Sequence, residues 1–105
     1  MKNTIIARLG IVFSQTDIDR ITVKDTDSKN LQITVDVHGM KCYEAKKFIN
    51  NIINAVRTTF KLAIIHGYNH GTAIKDMLAE NFSNIHIVDQ YQDPYNKGVT
   101  HMVLA

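Results

Sequence analysis

Two stretches of the chain end in the dipeptide His-Gly, and each follows a run of apolar residues. Residues 31–39 alternate apolar and polar side chains up to His38, whereas residues 61–67 are almost continuously apolar before His66. Each run has the pattern of a β-strand and is followed by a helical pattern. In open α/β sheets, ligands gather at the carboxyl ends of strands, where the chain turns into the next helix. The two histidines are therefore predicted to belong to a functional site.

The first run also places a carboxylate beside its histidine. Asp36 and His38 share the polar face of the predicted strand, roughly 6–7 Å apart along it. A carboxylate that close can hold an imidazole in one tautomer and stabilise its charged form, as general acid–base chemistry requires. Taken alone, Asp36 could be a polar residue on the solvent-exposed face of a strand. The second His-Gly dipeptide, at His66, instead favours a functional site that includes Asp36 and His38.

The loop after the second run contains further candidate contacts. Residues 67–71 have the sequence Gly-Tyr-Asn-His-Gly before a predicted helix, whose first amides could bind phosphate. Tyr68 could stack on a base or sugar and His70 could reach a phosphate, although both residue types are also common on ordinary surfaces. The loop is not a P-loop, because it lacks Gly-Lys followed by Ser or Thr.

A divalent metal is an alternative ligand for the same residues. Imidazole and carboxylate suit several metals, so Asp36, His38 and His66 could bind one. No further clustered carboxylates supply the oxygen ligands that Mg²⁺ prefers, so the sequence assigns no cofactor with certainty. The lone Cys42 excludes cysteine-based zinc sites and an intrachain disulfide, which fits a reducing cytoplasm.

The composition is that of one globular domain. The chain has 105 residues, of which 45% are hydrophobic and 21% charged, and this length suffices for a single core. No stretch approaches the roughly 18–20 apolar residues that cross a membrane. The apolar N-terminal stretch is interrupted by Arg8 and lacks a cleavage-site pattern. We therefore expect a cytoplasmic protein with no membrane association.

Basic residues concentrate between and just beyond the two His-Gly turns. The whole chain has a net charge of +2, whereas residues 41–75 carry six basic side chains against Glu44, a net of +5. The six are Lys41, Lys46, Lys47, Arg57, Lys61 and Lys75. This surplus would attract a polyanion if the turns form a site, although lysines that merely solubilise a helix face have the same pattern.

From residue 31 onward, strand and helix patterns alternate. Helical spacing of apolar residues extends from residue 42 to Phe60, and a second helix follows Thr72, a predicted N-cap. Later strands are predicted at 62–65, 85–88 and 99–104. The strand at 62–65 is apolar on both faces, as expected inside a sheet. The order strand-helix-strand-helix-strand-strand predicts an α/β fold whose first strands pair in parallel and whose last strand adds antiparallel pairing.

Residues 1–30 differ from the domain predicted for residues 31–105. They contain apolar residues and a short strand-like segment at 20–23, but no helical period or chemical motif stands out. We interpret them as an N-terminal extension that packs along the domain or against a second copy of the chain.

Three motifs resemble those of the Smr (small MutS-related) domain family. Residues 35–40, Val-Asp-Val-His-Gly-Met, match the family's Leu-Asp-x-His-Gly motif on its first core strand. Residues 66–72 match its His-Gly-x-Gly-x-Gly motif, with Asn69 in place of the usual second glycine. Residues 98–100 match its Gly-Val-Thr strand. The motifs occur in the family's order and the resemblance covers about residues 31–105.

The resemblance implies a two-layer α/β sandwich with a mixed sheet, similar to the C-terminal domain of bacterial translation initiation factor three. It also implies binding of DNA or RNA, with endonuclease activity in some members. By matching position, the catalytic residues would be Asp36, His38 and His66. The residues predicted to bind nucleic acid are Gly39, Lys41, Gly67, Tyr68, Asn69, His70, Gly71 and Lys75.

Two functional hypotheses follow. In the first, a monomer or weak homodimer binds structured or branched DNA or RNA and nicks it. His38 or His66 then serves as general base or acid at the scissile phosphate, and Asp36 orients the imidazole. In the second, the protein is a non-catalytic module that docks on nucleic acid or on a ribosomal surface. The sequence does not distinguish DNA from RNA.

Overall fold

A computed structural model describes residues 2–25, 31–69 and 71–105, and from residue 31 onward it has the predicted order of strands and helices. In chain order the elements are α1 (Lys2–Val12), α2 (Gln15–Ile18), β1 (Ile21–Asp25), β2 (Leu31–Asp36), α3 (Cys42–Ala55), β3 (Phe60–Ile65), α4 (Ala73–Glu80), β4 (Ile87–Gln92) and β5 (Val99–Leu104). None of the helices in these ranges is long and apolar enough to cross a membrane.

All five strands belong to one mixed sheet with the order β1-β2-β3-β5-β4. β2 and β3 are parallel and α3 connects them, whereas the other three pairings are antiparallel. The predicted parallel pairing of the first two core strands and the antiparallel addition of the last are confirmed. The register pairs Asp36 with Ile65, so β2 and β3 end side by side at one edge of the sheet. The two His-Gly turns therefore begin at neighbouring points.

One face of the sheet is covered by helices, which gives two layers. α3 packs against both α1 and α4. Every second residue of β2 and β3 is buried beneath this layer, and the residues between them, such as Thr34 and Lys61, are half-buried or exposed. The second core strand lies inside the sheet, as predicted for residues 62–65, but only one of its faces is fully buried, because Ala63 and Ile65 on the other face are half-buried.

Two predicted boundaries in the core differ from the observed ones. The helical stripe was expected to reach Phe60, but α3 ends at Ala55 and Phe60 is the buried first residue of β3. The intervening Thr58 and Thr59 are β-branched residues that suit an extended chain better than a helix. Thr72 does precede α4, but its hydroxyl donates to Asp76 Oδ2 at 2.8 Å and makes no cap to the backbone.

The strand predicted at 85–88 lies at 87–92. Asn84 forms a turn here, since its side-chain Oδ1 accepts from His86 N at 2.9 Å and its carbonyl accepts from Ile87 N at 3.1 Å. Ile85 is consequently 96% exposed, outside the strand. β4 is an edge strand that is mostly exposed, so it needs no apolar alternation and its polar residues give no strand pattern in the sequence.

No helical period stands out in the sequence of the N-terminal segment, yet the segment contains a helix, α1, which spans Lys2–Val12. Ile5 and Leu9, one turn apart, are buried in the core, and Phe13 stacks on Phe48 of α3 with ring centroids 5.0 Å apart. Other faces of α1 also carry apolar residues such as Ile11, which hides the helical period. The strand-like segment is confirmed as β1, which pairs with β2. The described part of residues 1–30 thus shares its core with the rest of the chain.

Candidate functional site

Four chain segments line one groove of about 440 Å³ at the sheet edge where β2 and β3 end. They are the turn after β2 (residues 38–40), the end of β3 with its turn (65–69), two residues of the loop before β5 (Asn96 and Gly98), and the start of α4 with the loop before it (Gly71, Ala73 and Ile74). The third segment arrives because β5 is antiparallel to β3 and so begins at the edge where β3 ends. The groove therefore combines both His-Gly turns, as their strand positions predict, with a loop that local sequence does not connect to them.

Glycine is required where the two turns reverse the chain. Gly39 has φ +80° and Gly67 has φ +74°, both in the left-handed region that side-chain-bearing residues rarely adopt. No residue other than glycine has a positive φ in the described ranges, so Asn69 does not use this conformation. The reversals bring the two turns together, since the Cα of Gly67 faces the side chain of His38.

Asp36 and His38 are in direct contact at the end of β2. One carboxylate oxygen, Oδ1, accepts the backbone N–H of His38 at 3.1 Å and also the ring Nδ1–H of the same residue. The Nε2 atom of His38 has no hydrogen-bond partner among the described residues, and the side chain is 68% exposed. Because the carboxylate fixes the Nδ1–H tautomer, Nε2 is the atom available to accept a proton from a ligand.

His66 is held very differently. It is only 6% exposed, and its Nδ1–H donates to the carbonyl of Gly67 at 2.8 Å. A carbonyl only accepts, so in the neutral ring Nε2 accepts from the hydroxyl of Thr100, which lies 2.9 Å away and is itself 5% exposed. Both ring nitrogens are thus used inside the protein, and this geometry suits a residue that fixes the groove wall.

Arg20, which the sequence analysis did not single out, supports the end of β2. Its Nη1 donates to the carbonyl of Asp36 at 3.0 Å and lies 3.5 Å from that of His38. It also lines a second hollow, on the uncovered side of the sheet, together with Thr22 and Thr34. His38 borders both this hollow and the groove. The signal in the sequence is indirect, because only the antiparallel register of β1 and β2 brings Arg20 beside Asp36.

The loop before β5 is organised by Asp93. Its Oδ1 accepts the backbone N–H groups of Tyr95 and Asn96 at 2.9 Å, and its Oδ2 accepts from His101 Nε2 at 2.7 Å. The hydrogen bond from His101, followed by the amide of Tyr95, lowers the pKa of Asp93 below its ordinary value of 3.8. An aspartate that binds nearby backbone amides is a common turn signal, but it does not reveal where the turn docks.

Gly98 connects this loop to the second turn. Its carbonyl accepts the N–H groups of both His66, at 2.9 Å, and Gly67, at 3.1 Å. A Cβ at position 98 would lie 3.1 Å from the Cα of Gly67, closer than ordinary packing permits. The two backbones therefore pass each other so closely that a side chain at position 98 would require one of them to shift.

The remaining predicted contacts divide into groove residues and outlying ones. Gly39, Gly67, Tyr68, Asn69 and Gly71 line the groove, whereas His70 lies outside the described residues. Lys41 is exposed and directly follows Met40 of the groove lining. Lys75 lines a separate hollow beside β4, and Arg57 lies at the opposite end of the sheet. The positive charge is therefore spread more widely than the sequence suggested.

The residues of the site do not fit a metal centre. No group of three or more His, Cys, Asp or Glu side chains converges within the described ranges. Asp36 and His38 bind each other, and His66 has no ring nitrogen to spare. Three protein ligands with an open position, which a catalytic zinc requires, are thus not assembled by these side chains.

Comparison with known proteins identifies the fold. No family model and no curated protein matches the chain. The crystal structure of the Smr domain of Thermus thermophilus MutS2 is similar, with a TM-score of 0.51 and 23% sequence identity over 69% of this chain and 96% of that chain. This likeness confirms the fold that the three sequence motifs implied. The chain has the fold of an Smr domain.

Proposed function

We propose that this protein binds DNA or RNA in the groove between its two His-Gly turns and cleaves a phosphodiester bond there. The observation that carries the proposal is the contact between Asp36 and His38 at the border of the groove. It orients the imidazole through Nδ1 and presents Nε2, without a protein partner among the described residues, to a ligand. The nucleic-acid-binding part rests on the resemblance of the motifs to the Smr family.

His38 is the proton carrier in the proposed reaction. The nucleophile is the 2′-hydroxyl of RNA or, on DNA, a water molecule. Nε2 of His38 takes the proton of this nucleophile as the new P–O bond forms. The imidazolium then returns this proton to the leaving oxygen as the old P–O bond breaks. Asp36 holds the ring and offsets its positive charge throughout. His66, with both nitrogens engaged, acts as a positioning residue in this scheme.

Lysines near the groove supply the attraction for phosphate. Lys41 follows the first turn, and Lys46 and Lys47 lie on the exposed face of α3, the helix that begins there. Affinity should fall steeply with salt, because each neutralised phosphate releases bound counterions. Charge reversal at Lys46 and Lys47 should therefore weaken binding to DNA and RNA alike.

A non-catalytic binding module is the second candidate. The engaged state of His66 favours it, since among the described residues of the groove His38 is then the one imidazole with an available nitrogen. Many phosphodiester cleavages use two proton-transferring groups, one for the nucleophile and one for the leaving oxygen. The nuclease and the binding module would use the same surface to bind nucleic acid. They differ only in whether His38 catalyses cleavage of the bound strand.

The deciding experiment measures binding and nicking side by side. Fluorescence anisotropy on branched DNA and on hairpin RNA reports binding, and end-labelled substrates report cleavage. His38→Ala should abolish nicking while the Kd stays within about twofold, and Asp36→Asn should slow nicking by roughly 10²–10⁴-fold because the ring loses its orientation. His86→Ala is the matched control, since this exposed histidine lies at the far end of the sheet.

The possible outcomes separate the candidates. Equal background cleavage by wild type and His38→Ala would leave the binding module standing. Absence of binding to every substrate at low salt would reject both candidates. Cleavage by the proposed route continues in EDTA. Activity that EDTA removes and a divalent ion restores would instead indicate a metal-activated water.

A further inference from the structure

The groove beside His38 is more apolar than a phosphate-binding surface needs to be. Ile74 is buried at its base, Met40 and Ile65 are half-buried, and Tyr68 presents an aromatic ring that is 49% exposed. A phosphodiester chain alone would gain nothing from these side chains. In the proposed reaction, His38 contacts the phosphate of a nucleotide. The aromatic and apolar surface next to His38 suits the flat face of the base.

The dimensions of the groove also suit a single nucleotide. Its volume of about 440 Å³ lies toward the lower end of the roughly 300–1,000 Å³ that pockets for small organic ligands occupy. A base within a continuous duplex cannot enter such a hollow, because its faces are stacked on the neighbouring pairs and its Watson–Crick edge is hydrogen-bonded to its partner. An unpaired base, or one rotated out of its stack, can do so.

The groove and the proposed reaction centre share His38. Because His38 and Tyr68 line the same groove, a nucleotide whose phosphate lies at Nε2 is beside the surface that Tyr68 presents. Polar groups are available for the base edge. The side-chain Oδ1 of Asn96 accepts from Gly98 N at 2.9 Å, and the amide NH₂ of Asn96, which has no acceptor among the described residues, is left to donate to a ligand.

We propose that the groove binds one unpaired base of the nucleic acid, and this proposal rests on the proposed function. The base stacks on Tyr68 and packs on Met40 and Ile74. This names the substrate class as DNA or RNA with a bulged, looped or otherwise unpaired nucleotide. The preference arises because an unpaired base enters the groove without first breaking a base pair. Continuous duplex binds only through its phosphates.

The test compares the affinity of the protein for two hairpins that differ only in whether the bulged nucleotide carries a base. The 105-residue chain is titrated with labelled hairpins that carry a single-nucleotide bulge, either adenine or an abasic residue, and with the fully paired hairpin. Stacking on an aromatic side chain predicts a Kd lower by roughly 5- to 150-fold for the adenine bulge than for the abasic bulge. A 2-aminopurine bulge should lose fluorescence on binding, because its ring stacks in the groove.

Variants assign the effect to the groove. Tyr68→Ala should remove most of the difference between the two bulges, and Tyr68→Phe should keep it. Tyr43→Ala is the matched control, since Tyr43 is exposed on α3 and does not line the groove. Equal Kd values for adenine and abasic bulges in the wild-type protein would overturn the base pocket but leave the proposed function intact. Binding of no hairpin would overturn both.

Discussion

The hydrogen bond between His66 and Thr100 should stabilise the fold measurably, and Thr100→Val tests this. Valine keeps the shape of threonine and its preference for strands but lacks the hydroxyl that bonds Nε2 of His66 at 2.9 Å. Both residues are less than a tenth exposed, so water cannot replace the lost partner without entering the core. The substitution therefore leaves a buried ring nitrogen unsatisfied.

The expected cost follows from this burial. A buried polar group without a partner costs about 1–3 kcal/mol, more than the net worth of an average hydrogen bond. A value of about 2 kcal/mol would lower the Tm of a domain of this size by roughly 8–16 °C. The same substitution would lower the urea concentration at the midpoint of unfolding. The m value, the slope of the free energy of unfolding against urea concentration, would change little, since the surface exposed on unfolding is the same.

Urea unfolding followed by circular dichroism provides the measurement, with a double-mutant cycle to isolate the pair. In a His66→Ala background, Thr100→Val should cost at least about 0.5 kcal/mol less than in the wild type, because the partner is already gone. Thr22→Val, at an exposed position of β1, is the control and should change the free energy of unfolding by less than about 0.5 kcal/mol. Equal costs of Thr100→Val in both backgrounds would refute the reasoning.

Three further substitutions test the supports of the groove. Gly98→Ala should lower the free energy of unfolding by about 1–3 kcal/mol, because its Cβ meets backbone at 3.1 Å. Gly10→Ala, which meets nothing within 4 Å in helix α1, should instead raise it slightly, and equal melting temperatures for these two variants would contradict the packing argument. Asp93→Asn should be less stable than wild type at neutral pH, and the difference should shrink as the pH falls below 3.8. This sign follows because the pKa of Asp93 is lower in the folded protein than in the unfolded chain. The ionised carboxylate therefore stabilises the fold at pH values above the unfolded pKa, and this stabilisation is lost as the pH falls through the folded pKa. A difference in the free energy of unfolding that does not change with pH in urea titrations would exclude this explanation. Arg20→Ala should cost roughly 1–2 kcal/mol in the same titrations, since it removes a charged donor from a strand-end carbonyl, and no loss would show that the contact is dispensable.

The sequence predicts the centre of the fold better than its margins. Alternation in β2 and the apolar run of β3 are strong signals, because these strands lie inside the sheet and their burial fixes residue type at every second position. Edge strand β4 is mostly exposed, so its polar residues carried no strand signal. Helix α1 has apolar residues on several faces, and its period disappears although Ile5 and Leu9 are firmly buried.

The candidate site shows the same division between local and distant information. The sequence places Asp36 and His38 close together because they are two residues apart, but their direct contact arises in the turn, since β2 ends at Asp36 and the carboxylate binds both the backbone N–H and the ring of His38. The hydrogen bonds that occupy both nitrogens of His66 could not be foreseen, because Thr100 is 34 residues away and reaches it only through the pairing of β5 with β3. Arg20 was missed for a similar reason, as it depends on the register of β1 and β2.

The carbonyl of Gly98 accepts two neighbouring amides, and this has a consequence for local opening of the protein. The N–H groups of His66 and Gly67 can exchange with solvent only when this one acceptor moves away. Their amide hydrogen-exchange rates should therefore report the same opening event, with equal free energies. The second turn and the entrance to β5 then form one cooperative unit, and the groove is lost or kept as a whole when that unit opens.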